Sequence, residues 1–192
     1  MVYQELPSNY KESQKVDLKA NKQMLIVNLL AVAIMLVMIF CMNYFVPINS
    51  IVSEHSSMNS VLLKVVVIAI GFILYVILHE AVHGLTMKCF GAKHLKFGFK
   101  AMYAYAGSDE YFSKGAYIMI ALAPVLVWGI VLGIVNAIVS YDWFWVIFTL
   151  QIINISSSSG DLFIAFKFAG IKKTDIVQDT GTVMTVFSKT EE

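Results

Sequence analysis

Four apolar stretches dominate this chain, at residues 24–46, 61–90, 115–139 and 143–168. Each reaches or approaches the ~20 apolar residues that an α-helix needs to cross a bilayer. In hydrocarbon every backbone N–H and C=O must find its partner within the protein, which forces such stretches to be helical. Only the last is interrupted, by "NISSSSGD" at 154–161. With 58% hydrophobic and 14% charged residues, the chain lies well above the apolar share of soluble domains. The expected fold is an all-α membrane protein: four transmembrane helices forming one membrane-embedded domain over 1–192, with a polar tail at 170–192.

Charge placement orients the spans. All 14 basic residues are lysines. Lys11, Lys15, Lys19 and Lys22 precede the first stretch; Lys88, Lys93, Lys96, Lys100 and Lys114 bracket the loop after the second; Lys167, Lys172, Lys173 and Lys189 follow or close the fourth. The 47–60 and 140–142 loops have none. By the positive-inside rule, both termini and the 91–114 loop are expected in the cytoplasm. Lys64, near the outer end of the second span, reads as a snorkelling side chain, and Tyr141, Trp143 and Trp145 as an outer aromatic belt. The first apolar run has no A-x-A-like cleavage site and is expected to be a retained span. Cys41 and Cys89 fall near opposite membrane faces, so no disulfide joins them. A net charge of +1 argues against a nucleic-acid partner and leaves the lipid bilayer as the surrounding medium.

Ionisable groups inside an apolar helix are costly and by default mark a site. The second span carries "HEAVH" at 79–83. On a helix His79 and His83 stand at i and i+4 on one face, where two imidazoles can reach one Zn²⁺ with Glu80 beside them. A zinc there lowers the pKa of a water to ~7, and a neighbouring carboxylate takes its proton as the oxygen attacks a peptide carbonyl. The plainer alternative is a hydrogen-bonded histidine pair partnered by Glu80. Gly84 fits either a motif position or a close helix contact.

A catalytic zinc usually takes three protein ligands. A metzincin-type extension would need glycine at 86 and histidine at 89, where Thr86 and Cys89 stand. Asp142 falls on the wrong side of the membrane, which leaves His94, Asp109, Glu110 and Asp161. Depth favours Asp161. His79 lies 18 residues from position 61, and Asp161 18 residues from position 143, both ~27 Å inward at 1.5 Å per residue. The serine-rich break before Asp161 can turn its carboxylate inward, although a capping role is the ordinary alternative. Glu110, in a lysine-bracketed polar turn, reads as a solvated carboxylate.

"HEAVHGLTMKCFGAKHLKFGF", followed by "IMIALAPVLVWG" and then by "NISSSSGD", resembles a bacterial zincin peptidase membrane domain distantly related to the site-2 intramembrane metalloproteases. The resemblance implies a zinc metallopeptidase of the bacterial cytoplasmic membrane that cleaves a membrane protein or peptide substrate. It implies His79, His83 and Asp161 on zinc and Glu80 as base. Unlike the site-2 pattern, Ala123 precedes Pro124 with no asparagine close by, and Gly160 precedes Asp161 instead of following it. Pro124 also reads simply as a kink in the third span.

Between the second and third spans, "HLKFGFKAMYAYAG" reads as a short β-hairpin. In site-2 proteases a hairpin here aligns substrate by strand addition, which would assign Phe97, Gly98 and Phe99, together with Asn154, to substrate binding; a structural plug is the alternative. Residues 1–23 are expected to form a solvated lead-in helix. "TVMTVF" at 182–187 is a β-prone run able to join the hairpin or to fray. The main rival function is a non-catalytic zinc-binding membrane protein, a sensor or immunity-type partner, which has no need of Glu80. A metal transporter is disfavoured because no ionisable relay continues toward the outer face.

Overall fold

Runs of long apolar helices and of short strands follow one another along the chain in a computed structural model that describes residues 2–52, 57–100 and 103–190. Among the described residues three helices, α1 (Asn21–Phe45), α2 (Met58–Cys89) and α3 (Lys114–Ile138), are long and apolar enough to cross a membrane. The fourth apolar stretch is two helices, α4 (Phe144–Ser157) and α5 (Ser159–Ala169), and neither alone has that length. The break is a single residue. Ser158 donates its hydroxyl to the Asn154 carbonyl at 2.7 Å, while its own N–H reaches the same carbonyl only at 3.4 Å. This back-bonding serine competes with the helical ladder and bends it.

The chain is not all-α. Strands β1 (Val2–Tyr3), β2 (Tyr10–Asp17), β5 (Tyr111–Ser113), β6 (Ile176–Asp179) and β7 (Val183–Lys189) form one antiparallel sheet in the order β1-β5-β6-β7-β2. The expected lead-in helix is therefore replaced by strands up to Asp17. The sequence YKESQKVD of β2 is polar on most positions, yet it buries Val16 completely. A one-sided strand with so few apolar residues has almost no hydrophobic signature of its own. The expected hairpin is present as β3 (Leu95–Lys100) and β4 (Tyr103–Ser108), which form a separate two-stranded sheet. The C-terminal β-prone run pairs with β2 and β6, not with this hairpin.

The chain divides into two compact units. One comprises Met1–Val27, Leu78–Pro124 and Gly160–Glu192; the other comprises Asn28–Ile77 and Val125–Ser159. In the first, Val16, Phe112, Tyr117, Ile120, Ile164, Phe168, Val177 and Val186 form the core, joining the five-stranded sheet to α3 and α5. Tyr117 donates its hydroxyl to Asp179 at 2.8 Å, tying α3 to the end of β6. In the second, Trp145, Phe148 and Ile152 pack against Met38, Ile39 and Met42 of α1. Trp145 is thus a core residue and not part of an aromatic belt: its indole N–H reaches the Pro47 carbonyl at 3.2 Å. Lys64 is likewise buried, donating to the Ile51 carbonyl at 2.8 Å rather than snorkelling. Cys41 and Cys89 are free thiols.

Two glycines have positive φ, and both serve turns. Gly91 (φ 102°) closes α2, with the Ala92 N–H on the Met87 carbonyl and the Gly91 N–H on the Lys88 carbonyl. This is a Schellman cap. Gly181 (φ 95°) makes the β6–β7 turn, and a Cβ there would lie 2.2 Å from the Tyr105 ring of β4. The same ring covers Gly98 on β3. Left-handed backbone alone costs a residue with a Cβ about 1–2 kcal/mol. Gly181→Ala should therefore lower stability by at least about that amount, read as a lower denaturant midpoint for the purified protein.

Candidate metal centre

α2 continues well past the length needed to cross hydrocarbon, since 32 residues extend ~48 Å. Its last turns carry His79, Glu80 and His83. One helical turn apart, the two imidazoles stack edge to face with centroids 4.8 Å apart, and both residues are buried. Asp161 enters from the first turn of α5. Its Oδ2 lies 3.2 Å from His79 Nε2 and its Oδ1 lies 3.4 Å from His83 Nε2. One ligand atom from each of the three residues falls within 4.8 Å of the others, forming a group able to hold a metal ion.

Tautomer and orientation at His83 follow from its other nitrogen. Nδ1 lies 2.9 Å from the Ile120 carbonyl oxygen of α3. A carbonyl only accepts, so Nδ1 is the protonated nitrogen and Nε2 is directed at Asp161. Glu80 is half-buried beside the two histidines and outside the three-residue group. No side-chain signal announces the Ile120 carbonyl, which is why the sequence did not reveal it.

The hairpin reaches the same region through Gly84. A Cβ at Gly84 would lie 2.2 Å from the Phe97 ring, so the residue after His83 leaves room for an aromatic side chain of β3 and not for a neighbouring helix. Phe97 and Phe99, two residues apart on one face of the strand, are 56% and 70% exposed. Gly98 lies under the Tyr105 ring. Asn154 is fully buried in the other compact unit, where its amide donates to the Val125 carbonyl at 3.3 Å.

The remaining ligand candidates have other partners. Asp109 pairs with Lys96 at 2.6 Å on the surface. Glu110 is not the solvated carboxylate that its lysine-rich surroundings suggest: it is buried, and accepts from the Lys93 N–H at 2.8 Å, the His94 N–H at 3.0 Å and the Ser108 hydroxyl. Burial pushes its carboxyl upward, but these donors outweigh burial and hold it below its ordinary value. Its contribution to stability is therefore full above the ordinary glutamate range and is lost as pH falls through the lowered value. Glu110 anchors the backbone between α2 and the hairpin.

Residues 72–176, more than half of the chain, match the family model described as "Putative zincin peptidase". Over 122 residues the chain is 32% identical to the "Uncharacterized 24.7 kDa protein in gap 5'region" of Pyrococcus woesei. The match covers 61% of this chain and 53% of that protein, so the chain spans about half the length of the relative. No solved structure matches.

Loss of a residue that only supports a metal ligand typically costs ~10–100-fold in affinity, and loss of a ligand should cost more. Asp161→Ala should accordingly lose zinc on dialysis under conditions where Glu110→Ala retains it. Glu110→Ala should instead lose about 1–3 kcal/mol of stability through its orphaned donors. The opposite pattern in a metal assay would move the third ligand to the 109–110 turn.

Proposed function

Because the chain belongs to the zincin peptidase family, we propose that it is a zinc metallopeptidase that hydrolyses a peptide bond of a membrane protein or peptide, in or beside the membrane near its cytoplasmic face. The observation that carries this reading is the convergence of His79, His83 and Asp161 with a glutamate beside them that is not a member of the group. Two imidazoles and one carboxylate suit zinc and leave a fourth position for water or substrate. Zinc bound there would supply Lewis acidity at the scissile carbonyl.

The rest of the chemistry falls to the chain. Glu80 takes a proton from the water that adds to the peptide carbonyl carbon, and returns it to the departing nitrogen as the C–N bond breaks. Half-buried beside the histidines, Glu80 stays reachable. Ile120 holds His83 in the tautomer that presents Nε2. The exposed Phe97 and Phe99 of β3, the first packed on Gly84, fit a role in holding an extended substrate beside the histidines.

Topology supports a cytoplasmic site. β1 and β2 precede α1, β5 lies between α2 and α3, and β6 and β7 follow α5, yet all five share one sheet. A sheet of this polarity sits on one side of the bilayer, so α1 with α2 makes an even number of crossings, and so does α3 with α4 and α5. That parity favours a composite fourth crossing by α4 and α5. The lysine distribution favours a cytoplasmic position for that sheet.

Two experiments test these points. Glu80→Gln should keep zinc and lose cleavage by ~10²–10⁴-fold, because an amide cannot accept the proton; full function in that variant would favour the non-catalytic zinc protein instead. For topology, in a background without Cys41 and Cys89, an impermeant thiol reagent added outside should label Asn49→Cys and spare Lys189→Cys. Labelling at 189 would refute the cytoplasmic placement.

A further inference from the structure

Inside α3 stands Pro124, a residue that ordinarily weakens a helix interior. In an α-helix the N–H of residue 124 would bond the carbonyl of residue 120. Proline has no N–H, and its ring crowds that same carbonyl away from the ladder. The carbonyl so released is the Ile120 oxygen, and it lies 2.9 Å from His83 Nδ1. Ile120 and Pro124 are both buried, so little water is available to satisfy the freed acceptor.

We infer that Pro124 is a positioning residue for the metal centre: by withholding an N–H it reserves the Ile120 carbonyl for His83 and so fixes the tautomer and ring orientation in which His83 Nε2 faces Asp161. The inference rests on the zinc reading above and adds to it a residue that touches neither metal nor substrate. A proline acting only as a kink would shape α3 without any particular bearing on His83. Here the missing donor and the histidine's acceptor are the two ends of one broken helical bond. An alanine at 124 would restore the N–H four residues on, and that amide would compete with His83 for Ile120.

Three forms of the full chain in lipid nanodiscs separate the effects, with zinc alone titrated against a chelator and the zinc-free proteins unfolded in denaturant. Pro124→Ala should weaken zinc binding ~10–100-fold, the range for a lost ligand support. Its zinc-free form should unfold at the same or a higher denaturant concentration, since alanine repairs the helix. Lactic acid at position 124 has neither the proline ring nor an N–H; it should bind zinc as the wild type does. Wild-type affinity in Pro124→Ala, or a lactate form as weak as the alanine form, overturns the inference. Should Pro124→Ala fold poorly, the comparison of lactate with wild type still decides whether the ring itself matters. A wild type that takes up no zinc instead refutes the metal reading on which this one rests, a result distinguishable from an unaffected variant.

Discussion

Asp161 sets one carboxylate oxygen against each of two imidazoles, at 3.2 and 3.4 Å, and the arrangement of the first compact unit turns on that contact. It joins the last turns of α2 to the first turn of α5. Through His83 Nδ1 it reaches α3, and Gly84, next to His83, receives the Phe97 ring of the hairpin. Two buried histidines and a carboxylate are costly to desolvate, and their mutual contacts offset part of that cost. A cation between them would offset it further. The site is therefore also a junction of the fold.

Around that junction the main chain does much of the work. The Schellman cap at Gly91 ends α2, Glu110 gathers the amides of residues 93 and 94, and the turn at Gly181 admits the Tyr105 ring. The first two redirect the backbone between α2 and the hairpin, and the third packs the β6–β7 turn against β4. The hairpin, with its exposed Phe97 and Phe99, thereby packs through Phe97 onto Gly84, next to His83 of the candidate metal group. The five-stranded sheet closes the same unit from the two ends of the described chain, pairing Tyr10 with Lys189 and burying Phe112, Val177 and Val186 against α3 and α5. The first unit thus builds a sheet-and-helix core of the kind found in water-soluble domains.

Legibility followed the range of the interaction. The i, i+4 histidines and the apolar lengths of α1, α2 and α3 are local periodicities, and the hairpin announces itself by its aromatic alternation and Gly98. Asp161 could be singled out because helical rise along two apolar stretches predicts equal depth for it and His79, and the structure brings their side chains within 3.2 Å. Trp145 and Lys64 misled for a shared reason: aromatic and long cationic side chains at a membrane edge usually face the interface, whereas here each finds a backbone carbonyl in the interior. Glu110 misled because its partners are mostly backbone amides, which have no letter in the sequence.

By itself, the sequence determined that the chain carries membrane-length helices, that one of them presents two histidines and a glutamate within five positions, and that all but one of its lysines cluster in the segments 11–22, 88–114 and 167–189. Composition and helical period suffice for that. Only the tertiary structure decided that polar end segments become strands of one sheet, that the fourth apolar stretch breaks at Ser158, and that His83 is protonated at Nδ1. These depend on partners far away along the chain, or on a main-chain group made available by a missing one. A carbonyl at Ile120 becomes an acceptor for His83 because residue 124 has no N–H to give, and only the folded chain brings that carbonyl to the histidine.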